Sequence, residues 1–511
     1  MRAVGNASLN AARRVRELAD LTTGGPVDVL VIGGGVTGAG VALDAAARGL
    51  SVVLAEKHDL AFGTSRWSSK LVHGGLRYLA SGAIGIAHES AVERGILIER
   101  TAPHLVRPLP QVVPLLPTVS RPHAALVRTG FLAGDALRAA ARTSRHTLPR
   151  SRRVTRAEVC RLAPTVQTAG LRGGLLAWDG QLGDDARLVV ALARTAASLG
   201  ARILARCAAV EATGSGAVLR DDLTGTTWDV DARVVINAAG VWAGDLAPGI
   251  TLRPSRGAHL VVASETFGGL GAGLTVPVPG STSRFVFALP SPEGHVYIGL
   301  TDEDAPGPVP DVPVASDAEI DFLLETINGA LAEPLTRADL LGTFAGLRPL
   351  LDTGGDSTAD ISRRHAVLTA PDGLTTIVGG KLTTYRRMAE DALDAALTHR
   401  AVPAGTCRTR NLPLVGAASP AELGAVHASR RLVRRYGTEA AAVIALADGD
   451  PTLLEPIAAG IEITGAELRF AVQHEGALDE ADLLDRRTRI GLSPVDRDRA
   501  VPAARAALAA G

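Results

Sequence analysis

Cysteine is scarce in this chain. The 511 residues contain only Cys160, Cys207 and Cys407, which lie far apart and form no C-x-x-C pair. Thiols this few and this scattered exclude a disulfide framework, and they exclude a zinc or iron–sulfur site that spacing would reveal. The sequence therefore suits a reducing cytoplasm, where thiols stay reduced.

Net charge and long apolar runs are also missing. Lysine plus arginine and aspartate plus glutamate number 53 each, so no overall field attracts nucleic acid or an anionic membrane. Without a run of about 18 apolar residues, the sequence predicts no membrane-spanning helix. The first 21 residues lack the apolar core of a signal peptide and predict a short amphipathic helix. Any function of basic residues must therefore be local.

Lysine is nearly absent as well, although arginine is abundant. The chain has Lys57, Lys70 and Lys381 and no other lysine. A lysine that persists against such a bias is more often needed as a compact amine whose pKa can shift. We therefore give these three positions slight extra weight.

What is present begins with a βαβ pattern. The run "VDVLVI" at 27–32 predicts a buried parallel strand, a glycine turn and helix follow, and "SVVLAE" predicts a second strand that ends at Glu56. Further on, the patterns predict helices at 86–102 and 184–199, a strand-rich block at about 256–310, a strand–glycine–helix segment at 374–396 and a linker at 401–415. The tail at 419–511 is predicted to be almost entirely helical, with capping boxes at Ser419–Glu422 and Thr464–Glu467.

The glycine turn carries a dinucleotide fingerprint. Gly33-x-Gly35-x-x-Gly38 follows a strand and opens a helix, which lets a pyrophosphate approach the helix N-terminus closely. Glu56 follows about 20 residues later, where a carboxylate binds a ribose hydroxyl. The spacing predicts a dinucleotide but does not distinguish FAD from NAD.

The distribution of glycine segments favours FAD. "VINAAGVWAGDLA" at 235–247 and "IVGGKLTT" at 377–384 are two further strand–glycine segments, hundreds of residues from the first. A binding domain assembled from three separated segments is typical of two-domain flavoproteins of the amino-acid-oxidase type, whereas a nicotinamide dehydrogenase usually keeps its Rossmann domain contiguous.

Several of these segments together carry a resemblance to a family. "VIGGGVTGAG", "GTSRWSSKLVHGGLRYL", "APHLV", "NAAGVWA", "GLRPLL" and "GGKLTTYRRMAE" resemble the FAD-dependent glycerol-3-phosphate dehydrogenases in content and order, closely over about residues 25–400. The tail, with "ADLLDRRTRIGL", resembles the C-terminal domain of the same family. "SSKLVHGGLRYL" and "GGKLTTYR" are specific to that family, whereas the glycine fingerprint is not.

The resemblance implies the activity and the domain plan. The expected reaction oxidises sn-glycerol 3-phosphate to dihydroxyacetone phosphate, with electrons passing through FAD to a quinone. We expect an α/β fold with a discontinuous Rossmann-like FAD-binding domain, an inserted β-rich substrate domain and an all-helical C-terminal domain. The predicted boundaries are an N-terminal arm at 1–24, the FAD-binding domain at 25–85, 185–255 and 340–400, the substrate domain at 86–184 and 256–339, and the C-terminal domain at 410–511.

The substrate residues follow from the same resemblance. Arg348 of "GLRPLL" and Arg363 of "SRRH" match phosphate-binding positions, and Arg77 and Tyr78 match the substrate side of the flavin. The family often has an aromatic or acidic pair after that second arginine, whereas this chain has Arg364-His365, so the sequence leaves open whether Arg363 or Arg364 faces the substrate.

Two residues are candidates for the proton. His259 of "RGAHLVV" matches a histidine near the reacting carbon and is the leading general base, since histidine titrates near neutrality. A hydrogen-bonded structural role at a strand start is an equal alternative for it. Lys381 is either a second candidate base or, as we prefer, a fixed cation that stabilises the reduced flavin.

The remaining site predictions concern the cofactor. Ser65, Ser68 and Ser69 are expected to hydrogen-bond FAD, Gly74 and Gly75 to let the backbone approach its ring, and His73 to contact or orient it. The full set of expected cofactor contacts is Gly33, Gly35, Thr37, Gly38, Glu56, Lys57, Thr64, Ser65, Ser68, Ser69, Leu71, His73, Gly74, Gly75, Ala209, Val210, Ala238, Ala239, Gly240, Gly346, Gly380, Lys381, Leu382, Thr383 and Thr384.

The electron acceptor is argued by exclusion. Oxygen-reducing relatives carry an insertion for which this chain is too short, and an iron–sulfur branch needs more cysteines. Quinone is therefore expected, with a cytoplasmic protein peripheral on the inner face of the membrane. The basic, apolar segment 123–153 is either an interfacial helix or an ordinary packed one. A flavin amino-acid or amine oxidase, a glycerol-3-phosphate oxidase and a flavin-binding scaffold without turnover remain alternatives, and a homodimer is left open.

Overall fold

Twenty strands form the frame of the described protein. The computed structural model describes residues 6–75, 82–281, 284–352 and 364–510. The strands are β1 (Val27–Ile32), β2 (Val52–Ala55), β3 (Leu71–Val72), β4 (Val106–Pro114), β5 (Arg152–Val154), β6 (Gly174–Leu182), β7 (Arg202–Leu204), β8 (Cys207–Thr213), β9 (Gly216–Asp221), β10 (Thr227–Asn237), β11 (Ser255–Ala263), β12 (Gly273–Pro277), β13 (Phe285–Pro290), β14 (His295–Gly299), β15 (Glu303–Asp304), β16 (Leu340–Arg348), β17 (Ala366–Thr369), β18 (Thr375–Val378), β19 (Pro456–Ala458) and β20 (Ile461–Thr464).

Helices cover these strands and build the tail. They are α1 (Ala11–Thr23), α2 (Val36–Ala47), α3 (Ile84–Ile96), α4 (Arg121–Ala140), α5 (Arg156–Leu162), α6 (Asp185–Ser198), α7 (Ala243–Leu246), α8 (Asp317–Asn328), α9 (Tyr385–His399), α10 (Pro420–Gly424), α11 (Arg430–Tyr436), α12 (Ala440–Ala445), α13 (Gly465–His474) and α14 (Pro494–Ala509). π-helical turns lie at Leu97–Thr101 and Asp482–Arg487, and 3-10 turns at Thr64–Arg66, Gly240–Trp242, Ser264–Phe267, Arg337–Asp339, Leu382–Thr384, Thr409–Asn411, Gly437–Glu439, Pro451–Leu454 and Ile490–Leu492.

The first sheet is the predicted dinucleotide-binding sheet. Its order is β17-β18-β10-β1-β2-β7, and the strands from β18 to β7 run parallel. The apolar run of β1 is buried because helices α2, α6 and α9 pack on one face of the sheet, while α1 and the β8–β9 hairpin contribute to the core on the other face. Three separated stretches of sequence thus meet in one sheet, as the glycine segments predicted.

The second sheet is larger and mostly antiparallel. Its order is β15-β11-β14-β13-β12-β4-β6-β3, with β16 also paired to β11 and β5 to β6. Its own core includes buried apolar residues from β11, β13 and β14 and from helix α8. This is the expected β-rich domain.

Two strands differ from the predicted boundaries. β3 and β16 were assigned to the FAD-binding domain, but β3 pairs with β6 and β16 pairs with β11, both in the second sheet. The reason is that an apolar strand pattern shows burial without showing which sheet provides the partner. The boundary of the first sheet therefore excludes residues 340–348.

The tail confirms the predicted helices and their caps. Ser419 and Thr464 each form a capping box, with Glu422 and Glu467 respectively. A core of its own holds α13 and α14 together. The domain is helical but not wholly so, because β19 and β20 form a short antiparallel hairpin that periodicity did not reveal.

Candidate active site

A cavity of about 1200 Å³ is lined by residues of both sheets. Loops that follow β1, β2, β10 and β18 contribute residues from the first sheet, and β4, β11, β12, β13 and β16 contribute from the second, together with α4. The carboxyl ends of parallel strands are where α/β folds bind ligands, so the position of the cavity is the expected one.

Most of the residues predicted from sequence to form the site line this cavity. They are Gly33, Gly35, Thr37, Glu56, Lys57, Thr64, Ser65, Ser68, Ser69, Leu71, His73, Ala209, Val210, Ala238, Ala239, Gly240, Gly346, Arg348, Gly380, Lys381, Leu382 and Thr383. Their individual contacts to a cofactor or substrate stay predictions.

The glycine turn has the geometry of a phosphate cradle. Gly33 adopts a φ of +106°, and a Cβ there would lie 2.6 Å from the carbonyl oxygen of Ala238. A Cβ on Gly38 would lie 1.9 Å from the carbonyl oxygen of Gly33, so helix and strand touch closely here. Helix α2 starts after Gly35, which has no side chain to cap it, and the first amide of the helix, that of Val36, donates to Ser65 Oγ at 2.9 Å. The N-terminus of the helix and the Ser65 hydroxyl are thus groups to which an anion could bind.

Glu56 sits where a ribose would be held. Its carboxylate accepts hydrogen bonds from the amides of Gly34 at 2.6 Å and His58 at 2.7 Å, and it lines the cavity. Burial raises the pKa of this carboxyl despite those two bonds. A partly buried carboxylate fixed by backbone amides is a rigid acceptor for a sugar hydroxyl.

A cation lies at the glycine turn after β18. Lys381 Nζ lies 3.2 Å from His73 Nε2, and both residues line the cavity. Gly379 and Gly380 have φ of +76° and +74°, and a Cβ on Gly380 would lie 2.5 Å from Met388 Sδ. The turn therefore requires glycine, and it presents the ammonium group to the cavity.

Arg348 is held firmly at the cavity wall. As the last residue of β16, it pairs with Ser255 of β11. Its Nη1 donates to Ser255 Oγ at 3.1 Å and to Asp302 Oδ1 at 3.2 Å, and its Nη2 donates to the carbonyl of Thr301 at 3.1 Å. A guanidinium oriented in this way suits a phosphate, since little further ordering is needed.

His259 departs from its predicted place. The side chain is fully buried, stacks on Phe344 at 4.5 Å, and is not among the residues that line the cavity. Its Nε2 lies 2.8 Å from Ser69 Oγ, so Ser69 stands between the imidazole and the cavity. Burial, with the nearby Lys70, holds the pKa of His259 well below its usual value. Direct contact of His259 with a ligand is thus not what the structure presents.

Four other predicted cofactor residues do not line the cavity. Gly38 packs beneath the glycine turn, and Thr384 Oγ1 donates to the carbonyl of Lys381. The amide of Gly74 donates to Asp179, and a Cβ on Gly75 would lie 3.0 Å from Ala87. These residues shape the backbone around the cavity.

Some predictions fall outside the description. Arg77, Tyr78 and Arg363 lie outside the described residues. Arg364 is described, is exposed and does not line the cavity.

Several residues were missed by the sequence reasoning. Trp67 lines the cavity, and the guanidinium groups of Arg66 and Arg489 lie 4.2 Å and 5.1 Å from the centre of its ring. Asp185 accepts hydrogen bonds from the amide and hydroxyl of Ser68 and pairs with Lys70 at 3.5 Å. The "SRWSSK" motif pointed to this loop, but nothing local pointed to Asp185 or Arg489.

Comparison with known proteins bears on this geometry. Residues 28–386 match the family described as FAD dependent oxidoreductase, and residues 407–510 match the C-terminal domain of alpha-glycerophosphate oxidase. Glycerol-3-phosphate dehydrogenase 1 of Mycobacterium tuberculosis is 59% identical over 508 residues, 98% of each chain. A mitochondrial glycerol-3-phosphate dehydrogenase of Arabidopsis thaliana is 35% identical over 93% of this chain and 81% of its own.

A solved structure agrees with these sequence matches. Glycerol-3-phosphate dehydrogenase from Bacillus halodurans, complexed with FAD, has a TM-score of 0.76 and 27% identity over 98% of this chain and 93% of its own. The chain belongs to the FAD-dependent glycerol-3-phosphate dehydrogenase family. The predicted fold class and FAD dependence are thereby confirmed.

The residues present fit the cofactor of this family. The N-terminus of α2, the Gly33 turn and the amide-fixed Glu56 provide places for a pyrophosphate and a ribose. Lys381, in the glycine turn after β18, provides a cation to the same cavity. Within the described ranges, no cluster of three or more potential ligands suits a metal ion, and no helix is long and apolar enough to cross a bilayer.

Proposed function

We propose that this flavoenzyme oxidises sn-glycerol 3-phosphate at C2 to dihydroxyacetone phosphate and passes the electrons to a membrane quinone. One observation carries the proposal: the same cavity joins the dinucleotide cradle to two cations, Arg348 and Lys381, that come from different sheets. A phosphate ester that is oxidised beside a flavin calls for both, one cation for the phosphate and one for the electron density that the flavin gains.

Each side chain has a task in this reaction. The guanidinium of Arg348, fixed by Asp302 and Ser255, binds the phosphate dianion and fixes the distance from it to C2. When bound, FAD would supply the hydride acceptor for C2. The ammonium of Lys381 provides positive charge in the cavity to offset the electron density gained there.

The hydroxyl proton at C2 needs an acceptor. His259 acts on it through Ser69 Oγ, the group that lies between its Nε2 and the cavity, because the imidazole itself is buried. Lys381 is the alternative acceptor in the cavity. The two assignments differ in one measurable respect, since Ser69→Ala breaks the first route and leaves the second intact.

Helix α4 is the proposed contact with the membrane and with the quinone. Leu126, Val127, Gly130 and Phe131 of α4 line the cavity. Leu126 is also 55% exposed, and Leu132 of the same helix is 51% exposed without lining the cavity. Exposed arginines follow in the segment after it, among them Arg142 and Arg145. An apolar face beside basic residues suits the interface of an anionic bilayer, which supports a peripheral location on the inner face of the cell membrane.

A substrate and acceptor panel tests this function. Purified holoenzyme is assayed with glycerol 3-phosphate, glycerol, glycine and proline, against a short-chain quinone or oxygen. We expect the quinone to be reduced with glycerol 3-phosphate and with none of the other three compounds. Peroxide formation at a similar rate would assign an oxygen-reducing oxidase instead, and turnover of an amino acid would overturn the substrate. Flotation with anionic vesicles, lost in Leu132→Asp, tests the membrane contact separately.

A further inference from the structure

The loop between β2 and β3, residues 56–70, is the most heavily used part of the cavity wall, and we name it the cavity loop. Glu56, Thr64, Ser65, Trp67 and Ser69 all line the cavity from it. A loop with this many ligand-facing residues needs an external support, because loops are otherwise the mobile parts of a fold. The described contacts show what supports it.

The support at the start of the loop comes from the C-terminal domain. Arg487 donates to both oxygens of the fully buried Asp59, with Nη1 at 2.7 Å from Oδ2 and Nη2 at 2.8 Å from Oδ1. Arg486 Nε donates to the same carboxylate at 2.6 Å. Two arginines more than 400 residues away therefore fix one aspartate of the cavity loop.

The support at the end of the loop comes from the same segment. Arg489 Nη2 donates to the carbonyl of Arg66 at 2.6 Å, and its guanidinium lies 5.1 Å from the centre of the Trp67 ring. Arg489 is itself fixed, since its Nη1 donates to the carbonyl of Asp485 at 2.7 Å. It is buried and has a φ of +64°, a left-handed conformation that costs a residue other than glycine about 1 kcal/mol or more.

Stability alone is a poor reason for these charges. Arg66, Arg486, Arg487 and Arg489 are all buried close together. Burial, with the neighbouring charges of Arg486 and Arg489, lowers the pKa of Arg66 to about 9. Buried ion pairs are often no more stabilising than an apolar contact of the same volume, but they do fix geometry. The arrangement is better explained by the position it imposes on the loop.

We propose that Arg486, Arg487 and Arg489 form an arginine clamp through which the C-terminal domain positions the cavity loop, and that Arg489 is the positioning residue for Trp67. The clamp acts on FAD through Glu56, Thr64 and Ser65, and on the reaction through Trp67 and Ser69. The first effect requires only the flavin, whereas the second rests on the proposed function. This gives the C-terminal domain a role in the site that it does not line.

The test compares Arg489→Met with a matched control in the same domain. Arg505→Met is the control, because Arg505 is an exposed residue of the same domain that pairs with Glu480 at 2.6 Å and touches neither the cavity loop nor the clamp. The dissociation constant of FAD is measured by titration of apoprotein, and kcat and KM for glycerol 3-phosphate are measured at saturating FAD and low temperature. We expect Arg489→Met to raise the FAD dissociation constant at least tenfold and to lower kcat about tenfold or more, with KM changed less. We expect Arg489→Lys to recover part of both losses.

A double variant separates positioning from mere stability. If Arg489 acts through Trp67, adding Trp67→Phe to Arg489→Met changes kcat less than the product of the two single effects. A lower melting temperature with unchanged FAD affinity and unchanged kcat would overturn the proposal, as would equal losses in Arg505→Met. If Arg489→Met fails to fold, the same double-variant comparison is made with Arg489→Lys and Trp67→Phe. If glycerol 3-phosphate is not a substrate, the proposed function fails, and the FAD dissociation constants of the variants still test the clamp.

Discussion

At the scale of single residues, the site separates charges that bind from groups that orient. Arg348 and Lys381 present cations to the cavity, and each is held by neighbours, Arg348 by Asp302 and Ser255 and Lys381 by the His73 contact. His259 is withdrawn behind Ser69. Substitutions of the two kinds of residue should therefore have different kinetic signatures.

Arg348→Met should weaken substrate binding without loss of FAD. The guanidinium is expected to bind the phosphate by charge-assisted hydrogen bonds, each worth about 1.5–3 kcal/mol, so kcat/KM should fall roughly 10- to 100-fold or more. Steady-state kinetics and the flavin absorbance of the purified variant measure the two quantities. Arg337→Met is the control, because Arg337 is paired with exposed aspartates on helix α8. A variant with normal KM but little bound flavin would place Arg348 at the cofactor instead.

At the scale of elements, the turn between β1 and α2 is the most demanding feature. Helix α2 approaches the end of β1 so closely that the Gly33 carbonyl occupies the space of a Cβ on Gly38. The same contact sets the direction of the helix N-terminus. The same close contact therefore determines both the packing of helix α2 and the position of the predicted phosphate site.

Gly38→Ala should impair FAD binding more than its small volume suggests. A Cβ at 1.9 Å from the Gly33 oxygen forces the turn to move, and overpacking of this kind costs about 1–3 kcal/mol. We expect purified protein with a FAD dissociation constant raised more than tenfold, measured by titration of apoprotein. Gly424→Ala, where a Cβ meets open space, should bind FAD normally. Unchanged affinity in Gly38→Ala would show that the turn is not the phosphate site.

The elements also show how far local sequence reasoning reached. β1, the glycine turn and the capping boxes were predicted because each depends on residues within one short segment. The burial of His259 was not, because the covering Ser69 lies 190 residues away. Nor was the pairing of β16 with β11, since alternation of apolar residues does not identify a partner strand.

At the scale of the whole molecule, buried ion pairs join the C-terminal domain to the first sheet. Arg187 of α6 donates to both carboxylate oxygens of Glu475, at 2.7 and 3.0 Å, and Arg487 reaches Asp59 at a separation of 428 residues. Contacts at such separations leave no trace in local patterns, which is why the role of this domain was not predictable from sequence. They make the docking of the domain sensitive to acid.

Glu475→Gln should reveal that sensitivity. Arg187 lowers the pKa of Glu475 from its usual 4.5 to about 2 against the opposing effect of burial. A lowered folded-state pKa stabilises the protein above pH 4.5, and the stabilisation is lost as pH falls from 4.5 towards 2. The free energy of unfolding of the variant, measured by urea denaturation at pH 7, should therefore be about 3 kcal/mol lower than that of the unsubstituted protein. This difference should shrink below pH 4.5. A difference that stays constant with pH would contradict this account.

The central claim is that the cavity binds FAD beside a phosphate ester and oxidises that ester. Anaerobic mixing of the purified yellow holoenzyme with glycerol 3-phosphate in a stopped-flow spectrophotometer tests it most directly. The account predicts that flavin absorbance bleaches in one phase, with a rate that saturates with substrate, and that one dihydroxyacetone phosphate forms per flavin. A flavin that stays oxidised with glycerol 3-phosphate, or that bleaches with an amino acid instead, would contradict it.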